Sequence, residues 1–549
     1  MNNCRRYAAE RITVNSMKKW TRKKYLDDYF ALFGSFGRAV GKADIQTDGK
    51  STTVSGSVGG CYMESTFFED KSGVTVRTGK IRNESDEDIT LSTALYRYVF
   101  DGGEYEIYTQ FNGWQNESIG GWQPLVTSVT AFSETPRSCS SATPLLALYN
   151  VQTGRGMAIN LIPNGAWELS ARRATARNES TEVVAEAGNL ARKQVTVLKP
   201  GEELAFPTVL CHVFTNKLDL DGWKLQRYSH RNIPQKTMPV IYNTWLYRFD
   251  KISYGDVSRQ IPKAAELGCE YFVIDAGWFG NGAGWQGVRG DWKENQTAKL
   301  CGKMKTLADE VRAHGMKFGF WLETESAGRD SEILRDHLDW FIYDAGLYYL
   351  DFTNKEAANT MYETVCSLVD LYGAEFMKFD YNQDLYADKT LTSFCDYHNS
   401  YAEYVRRIRE RYPELYLQCC ASGGMRTDLK NCMLFDSYWL SDDQSPYEGL
   451  RLVKETVKRL APQRIERWAC LTSFASTQPA PQDKLLANDD WTWGRLASVH
   501  ESYLKAFLTG APIGFSCDLT LLSGDTFDML KNLLKNSKKS VPHIGRMPR

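Results

Sequence analysis

Histidine is scarce in this chain: seven residues in 549, scattered along its length. That leaves no imidazole cluster for a metal centre. The thirteen cysteines include no CxxC pair. Neither a zinc ribbon nor a disulfide framework is indicated, and buried reduced thiols are the expected state. No apolar run approaches the roughly 20 residues of a membrane span. The first thirty residues carry Arg5, Arg6, Arg11, Lys18, Lys19 and Lys23 with no apolar stretch among them, so no secretory leader is indicated. A cytoplasmic protein without membrane association is expected. Charge of one sign is lacking too, with 66 basic and 67 acidic residues giving a net charge of −1. Nothing therefore points to nucleic acid as a partner. The basic run Lys18-Lys19-Trp20-Thr21-Arg22-Lys23-Lys24 reads as a solvated face. No GxGxxG follows any apolar strand, and no repeat or low-complexity segment appears.

Aromatic residues are abundant: 15 Trp, 29 Tyr and 25 Phe. They suit carbohydrate platforms and large cores alike. Residues 1–231 read as an N-terminal antiparallel β-sandwich domain closed by a short linker helix at 221–231. Segments such as Thr90–Phe100, Tyr105–Gln110, Leu145–Tyr149, Gly156–Ile162, Lys193–Val197 and Ala205–Phe214 are short, aromatic or β-branched, and separated by Gly, Asn and Asp turns. The first forty residues leave helix open. From about residue 236 the rhythm changes to alternating strands and helices.

The expected strands are Val240–Trp245, Tyr271–Asp275, Lys317–Trp321 and Glu375–Asp380, then Tyr416–Cys420, Phe435–Leu440, Cys470–Phe474 and Ile513–Cys517. Helices intervene, among them Asp256–Leu267, Lys303–His314, Lys355–Tyr372, Asp396–Tyr412 and Trp493–Leu508. Alternation repeated roughly eight times over about 300 residues marks a (β/α)8 TIM barrel, here residues 232–549, with a doubly wound sheet as the rival.

Active sites of such barrels lie at the C-terminal ends of the strands. Those ends carry Trp245, Asp275 with Trp278 beyond it, Trp321 with Glu323 and Glu325, Lys378 with Asp380, Cys420 to Gly424, and Asp442. In Glu375–Asn382 the side chains of Lys378, Asp380 and Asn382 point one way. A structural ion pair is one explanation; a catalytic carboxylate held ionised by its lysine is the other. Carboxylates among tryptophans suggest glycoside hydrolysis, which needs one ionised and one protonated carboxyl group. Lys378 is expected to lower the pKa of Asp380, and desolvation with neighbouring Asp443 to raise that of Asp442.

The runs Tyr271–Gly280, Gly290-Asp291-Trp292, His314–Trp321, Lys378-Phe379-Asp380, Cys420–Gly424 and Ser441-Asp442 stand in order and spacing that resemble the bacterial α-galactosidases of glycoside hydrolase family 36. Phe111-Asn112-Gly113-Trp114 extends the likeness, more weakly, into the N-terminal half. The resemblance implies a retaining hydrolase with Asp380 as nucleophile and Asp442 as acid/base. It implies sugar contacts from Trp245, Asp275, Trp321, Lys378, Cys420, Gly423 and Gly424, to which Trp278 and Asn382 are added as substrate-binding candidates. Glu323 and Glu325 become supporting residues. No cofactor is implied. An oligosaccharide or glycoconjugate is the expected partner, and a homo-oligomer is left open.

Three departures stand out. Ala276 follows Asp275 where two aspartates are usual, which removes a hydrogen bond worth roughly 1.5–3 kcal/mol. Asn354 stands where an arginine is common. The C-terminal β-domain of the family is expected to be absent or much reduced. A galactose-like sugar, an amino or N-acetyl sugar, or a carbohydrate-binding protein without turnover all remain open. A phosphate- or metal-dependent barrel enzyme is the weaker alternative.

Overall fold

The computed structural model describes residues 25–544 apart from 36, 39–40, 176–180, 191–195, 234–236, 282–283, 444 and 472–500. The basic run at 18–24, the first 24 of the forty residues for which helix was left open, and residues 472–500 of the seventh-strand and following-helix expectations lie outside the described residues; the described part of the first forty holds a short 3-10 turn, Leu26–Asp28, and the strands Phe30–Gly34 and Gly37–Arg38.

The N-terminal half is built from two antiparallel sheets, one of seven strands and one of ten. Strict alternation drives it. In Cys61–Glu69, Cys61, Met63 and Phe67 turn inward while Tyr62, Glu64 and Thr66 are half-buried on the other face. The sheets share one core, in which Leu146, Ile159 and Val209 of the larger meet Trp167, Leu169 and Ala185 of the smaller. The expected β-sandwich is therefore present. The helix Trp223–Asn232 leads from it into the second half.

That half is a closed parallel barrel of eight strands: β1 (Val240–Asn243), β2 (Tyr271–Ile274), β3 (Lys317–Leu322), β4 (Phe376–Phe379), β5 (Tyr416–Cys419), β6 (Ser437–Trp439), β7 (Ile465–Ala469) and β8 (Ile513–Phe515). Most of these strands are buried on both faces, so they read as near-continuous apolar runs. Two expected boundaries are corrected. β1 stops at Asn243, and Trp245 begins a short helix, Trp245–Arg248. β7 lies at Ile465–Ala469, ahead of the expected 470–474, and its charged residues are satisfied inside the fold. Glu466 accepts from Ser437 Oγ at 2.6 Å and Trp468 Nε1 at 2.7 Å. Arg467 donates to the carbonyls of Phe507 and Thr509. Hydropathy alone hides such a strand. A small antiparallel sheet of Ser326–Ala327, Phe341–Asp344 and Leu347–Leu350, unforeseen from sequence, lies between β3 and the helix Lys355–Tyr372.

The halves are fused. Val76 and Ile162 of the larger N-terminal sheet, with Val74 in the turn before it, belong to the barrel's hydrophobic cluster. Tyr108 Oη donates to Glu455, Ser138 Oγ to Asp428, and Thr135 Oγ1 to Asp384 at 2.9 Å. Among the described residues no helix is long and apolar enough to cross a membrane, and no disulfide joins the described cysteines.

Candidate active site

A cavity of about 700 Å³ opens at the C-terminal ends of the barrel strands. Trp245, Asp275, Trp321 and Lys378 line it, as do Asp380, Asn382, Cys420 and Asp442. The β4 alternation thus delivers Lys378, Asp380 and Asn382 to one face.

Lys378 is almost fully buried, and its Nζ donates to Asp275 Oδ2 at 2.9 Å. Asn243 Nδ2 donates to the same oxygen at 2.7 Å. Burial opposes the ammonium charge, but Asp275 first, with Cys420 and Asp380, overrides it and holds Lys378 protonated. This corrects the simplest sequence expectation: the lysine's ion-pair partner is Asp275, and it acts on Asp380 through space.

Asp380 is 8% exposed. Burial pushes its carboxyl up. Lys378, the Cys420 thiol, Trp321 and Asn382 together outweigh burial and hold it below the ordinary carboxylate range. The bonds are explicit. Oδ2 accepts from Trp321 Nε1 at 3.1 Å and Asn382 Nδ2 at 3.0 Å. Oδ1 accepts from the amides of Tyr381 at 2.8 Å and Ser422 at 3.2 Å.

Asp442 follows β6 and is partly exposed to the cavity. Desolvation raises its pKa. Hydrogen bonds from Trp439 and Trp114 offset this only in part, and the charge of Asp380 adds to the rise. The neighbouring charge at work is Asp380, in place of the expected Asp443, whose carboxylate instead accepts from the Ser445 amide at 2.7 Å. Asp442 Oδ1 accepts from Trp439 Nε1 and Oδ2 from Trp114 Nε1, both at 2.8 Å.

Three expected contact residues do not line the cavity. Trp278 is fully buried, and its Nε1 donates to the Trp321 carbonyl at 3.0 Å, so it backs the wall. Gly423 and Gly424 lie behind Asp442. Gly423 has φ of 82°, and a Cβ there would come within 2.5 Å of Glu117 Oε1 and 3.0 Å of the Asp442 amide. Only glycine permits that approach.

Glu323 and Glu325 serve the wall from behind. Glu323 accepts from Asn382 Nδ2 at 2.7 Å, with Arg289 at 3.3 Å. Glu325 forms a two-pronged pair with Arg426 at 2.7 and 2.9 Å. Asn354 caps the helix Lys355–Tyr372, accepting from the amides of Glu356 and Ala357, and does not line the cavity. Ala276 does line it.

Trp114, Arg137, Trp285 and Arg289 also line the cavity and were not foreseen as site residues. Trp114 and Arg137 belong to the N-terminal domain. The run ending in Trp114 stood out in the sequence, but no local pattern says that it meets Asp442, 328 residues away. Among the described residues no group of three or more His, Cys, Asp or Glu is arranged to hold a metal ion.

A parallel barrel with two oppositely poised carboxylates in one tryptophan-walled cavity is the framework of a carbohydrate-active protein. The melibiase family model matches residues 218–541, more than half of the chain, and the chain belongs to that family. Its relatives are α-galactosidases of glycoside hydrolase family 36. The chain is 24% identical over 515 residues to α-galactosidase Mel36A of Lactobacillus acidophilus, covering 88% of this chain and 67% of that protein. It is 28% identical over 312 residues to the bifunctional α-galactosidase/sucrose kinase AgaSK of Mediterraneibacter gnavus, covering 55% and 31%. The chain therefore spans about two thirds of the first relative's length and about a third of the second's. Among solved structures, the galactosidase domain of AgaSK superposes with a TM-score of 0.77 at 21% identity, over 93% of this chain and 71% of that one. AgaA of Geobacillus stearothermophilus gives 0.79 at 20% identity, over 94% and 75%.

Proposed function

We propose that the protein is a retaining, exo-acting α-glycosidase that releases terminal α-linked galactose, or a galactose-like sugar, from oligosaccharides. One observation carries this reading: the same cavity holds one carboxyl group poised below the ordinary range and one poised above it. Asp380, ionised and held by four N–H donors, attacks the anomeric carbon. Asp442 gives its proton to the leaving glycosidic oxygen as the C–O bond breaks, and the sugar is left on Asp380. Asp442, now ionised, takes a proton from water, whose oxygen displaces Asp380 and releases the sugar with its configuration retained. The Lys378–Asp275 pair at the cavity floor offers a donor and an acceptor to ring hydroxyls. Trp245 and Trp321 offer apolar faces to the ring.

Family membership supports the reaction class, and variants of a solved relative, AgaA, were crystallised with stachyose and with raffinose. The finer sugar choice rests on Ala276, which leaves the wall beside Asp275 without a second carboxylate. An amino or N-acetyl sugar therefore stays in the panel that tests the reading. The purified protein is assayed on aryl α-glycosides of galactose, N-acetylgalactosamine, galactosamine, glucose and L-arabinopyranose. Turnover of the galactoside upholds the proposal, and turnover of only an amino sugar moves it to that variant. Silence on the whole panel from folded protein overturns it.

A further inference from the structure

The corner of the cavity between β1 and β2 carries a carboxylate that the proposed reaction does not use, that of Asp250. The short helix after β1 ends at Phe249, whose φ of 50° and ψ of −132° suit glycine far better than phenylalanine. The Phe249 amide donates to the Trp245 carbonyl at 2.6 Å, and the Lys251 amide to that of Arg248 at 3.0 Å. The Phe249 ring stands edge-on to Trp245, centroids 5.2 Å apart. This tight turn sets Asp250 against the segment that follows β2. A Cβ on Gly277, where φ is 109°, would fall 2.8 Å from Asp250 Cα and 3.1 Å from its Cβ. Asp250 thus enters the wall beside Ala276 and Gly277, although it comes from a different strand end. No described residue donates a hydrogen bond to its carboxylate. Its nearest positive charge acts through space. Burial pushes the Lys299 ammonium down and the charge of Asp250 works against that, yet Lys299 Nζ has no hydrogen-bond partner among the described residues. Both oxygens of Asp250 are therefore open.

We propose that Asp250 is a substrate-binding residue that selects the sugar: its carboxylate accepts a hydroxyl proton from the sugar held in the cavity, at the corner beside Ala276. The inference rests on the reading of the cavity as a sugar site. Acceptors on that side are few. Asp275 Oδ2 already receives Lys378 and Asn243. Its Oδ1 receives the Ala276 amide at 2.8 Å, so Asp275 keeps one acceptor position. Asp380 and Asp442 are committed to the chemistry. Asp384, after β4, accepts from Thr135 and faces Arg137. A sugar hydroxyl that enters the cavity leaves water behind, and a buried hydroxyl proton without an acceptor is costly. Asp250 is the lining carboxylate placed to take it. A carboxylate makes such a bond roughly twice as strong as a neutral acceptor does. Trp245 stands edge-on to both Phe249 and Trp285, so the corner is walled by apolar rings, and a low local dielectric strengthens the bond further. A sugar that presents a hydroxyl to this corner is held, and one that lacks it is discriminated against.

The test reads binding without turnover. Phenyl 1-thio-α-D-galactoside, whose sulfur resists hydrolysis, is titrated calorimetrically into full-length wild type, Asp250→Ala and Asp250→Asn. So are its monodeoxy counterparts, each lacking the hydroxyl at C2, C3, C4 or C6. Asp250→Ala is expected to weaken binding of the parent thiogalactoside by about 10- to 100-fold. One deoxy sugar, the one without the hydroxyl that Asp250 takes, is expected to bind wild type and Asp250→Ala alike, while the others follow the parent. Asp250→Asn keeps an acceptor oxygen without the charge, so it should lose less on the parent and spare the same deoxy sugar. Because no bond within the protein is lost, both variants should melt with the wild type. Wild type that binds the parent, with Asp250 variants that weaken every sugar equally or none, overturns the role of Asp250 and leaves the proposed function standing. Wild type that binds none of these sugars defeats the sugar reading of the cavity and this inference with it.

Discussion

Asp380 and Asp442 are carboxylates in one cavity, and desolvation acts on both in the same direction. They end on opposite sides of the ordinary value. Asp380 receives four N–H donors and faces Lys378, all from the barrel itself. Asp442 receives two indole donors, one of them from a different domain, and faces the negative charge of Asp380. Burial alone therefore does not decide the protonation state of a carboxyl group. The count of donors and the sign of the nearest charge do, and here they divide the labour of nucleophile and acid between two residues of the same type.

The sharpest way to break this contrast is to remove the nucleophile. Asp380→Ala is expected to cost about 10⁴-fold or more in kcat on any substrate, with the melting profile retained; an unchanged rate would remove Asp380 from its assigned place. Asp442→Ala should slow substrates with poor leaving groups by about 10²- to 10⁴-fold. Activated aryl glycosides, which need little protonation, should lose far less, and equal losses on the two substrate types would speak against the acid role. Lys378→Met leaves Asp275 without its buried partner and Asp380 without its nearest positive charge. Unfolding in urea is expected to show a loss of about 3–5 kcal/mol, together with an acid limb of the rate profile moved to higher pH.

The gentlest probe is Glu117→Gln. Burial, offset in part by Ser441, pushes the Glu117 carboxyl from its ordinary value of 4.5 up to about 8. In the unfolded chain it ionises near 4.5, so between that pH and about 8 the folded state holds the extra proton. Its contribution to stability is complete below 4.5 and is lost as pH rises through 8. The glutamine carries no charge to suppress. The melting temperature of Glu117→Gln should fall less between pH 5 and 9 than that of the wild type, and parallel curves would show that Glu117 does not titrate in this window.

Legibility in the sequence followed the locality of the cause. The barrel was readable because each strand is a short apolar run followed by an amphipathic helix, and both periodicities are local. The helix at 355–372 is bounded by Asn354 and Gly373, so both ends were marked by capping residues. β7 was misplaced because Ile465-Glu466-Arg467-Trp468-Ala469 does not read as a core strand until Gln418, Ser437 and the Phe507 carbonyl are known to satisfy its charges. Asp275, Lys378, Asp380 and Asp442 were legible because they stand at strand ends, where the fold dictates direction. Trp278 was misjudged because sequence shows that an aromatic follows a strand, not which way it turns.

By itself the sequence determined the class of each half, the order of the barrel strands, and which carboxylates reach one end of the barrel. These follow from alternation, from helical spacing and from strand direction, all set within a few residues along the chain. Tertiary structure alone decided the pairing of Lys378 with Asp275, the opposite poise of Asp380 and Asp442, and the arrival of Trp114 and Glu117 beside Asp442. Each of those depends on distances between segments far apart in the chain. Electrostatic energy falls with spatial separation and desolvation depends on everything within several ångströms, so neither can be summed until the fold has chosen the neighbours.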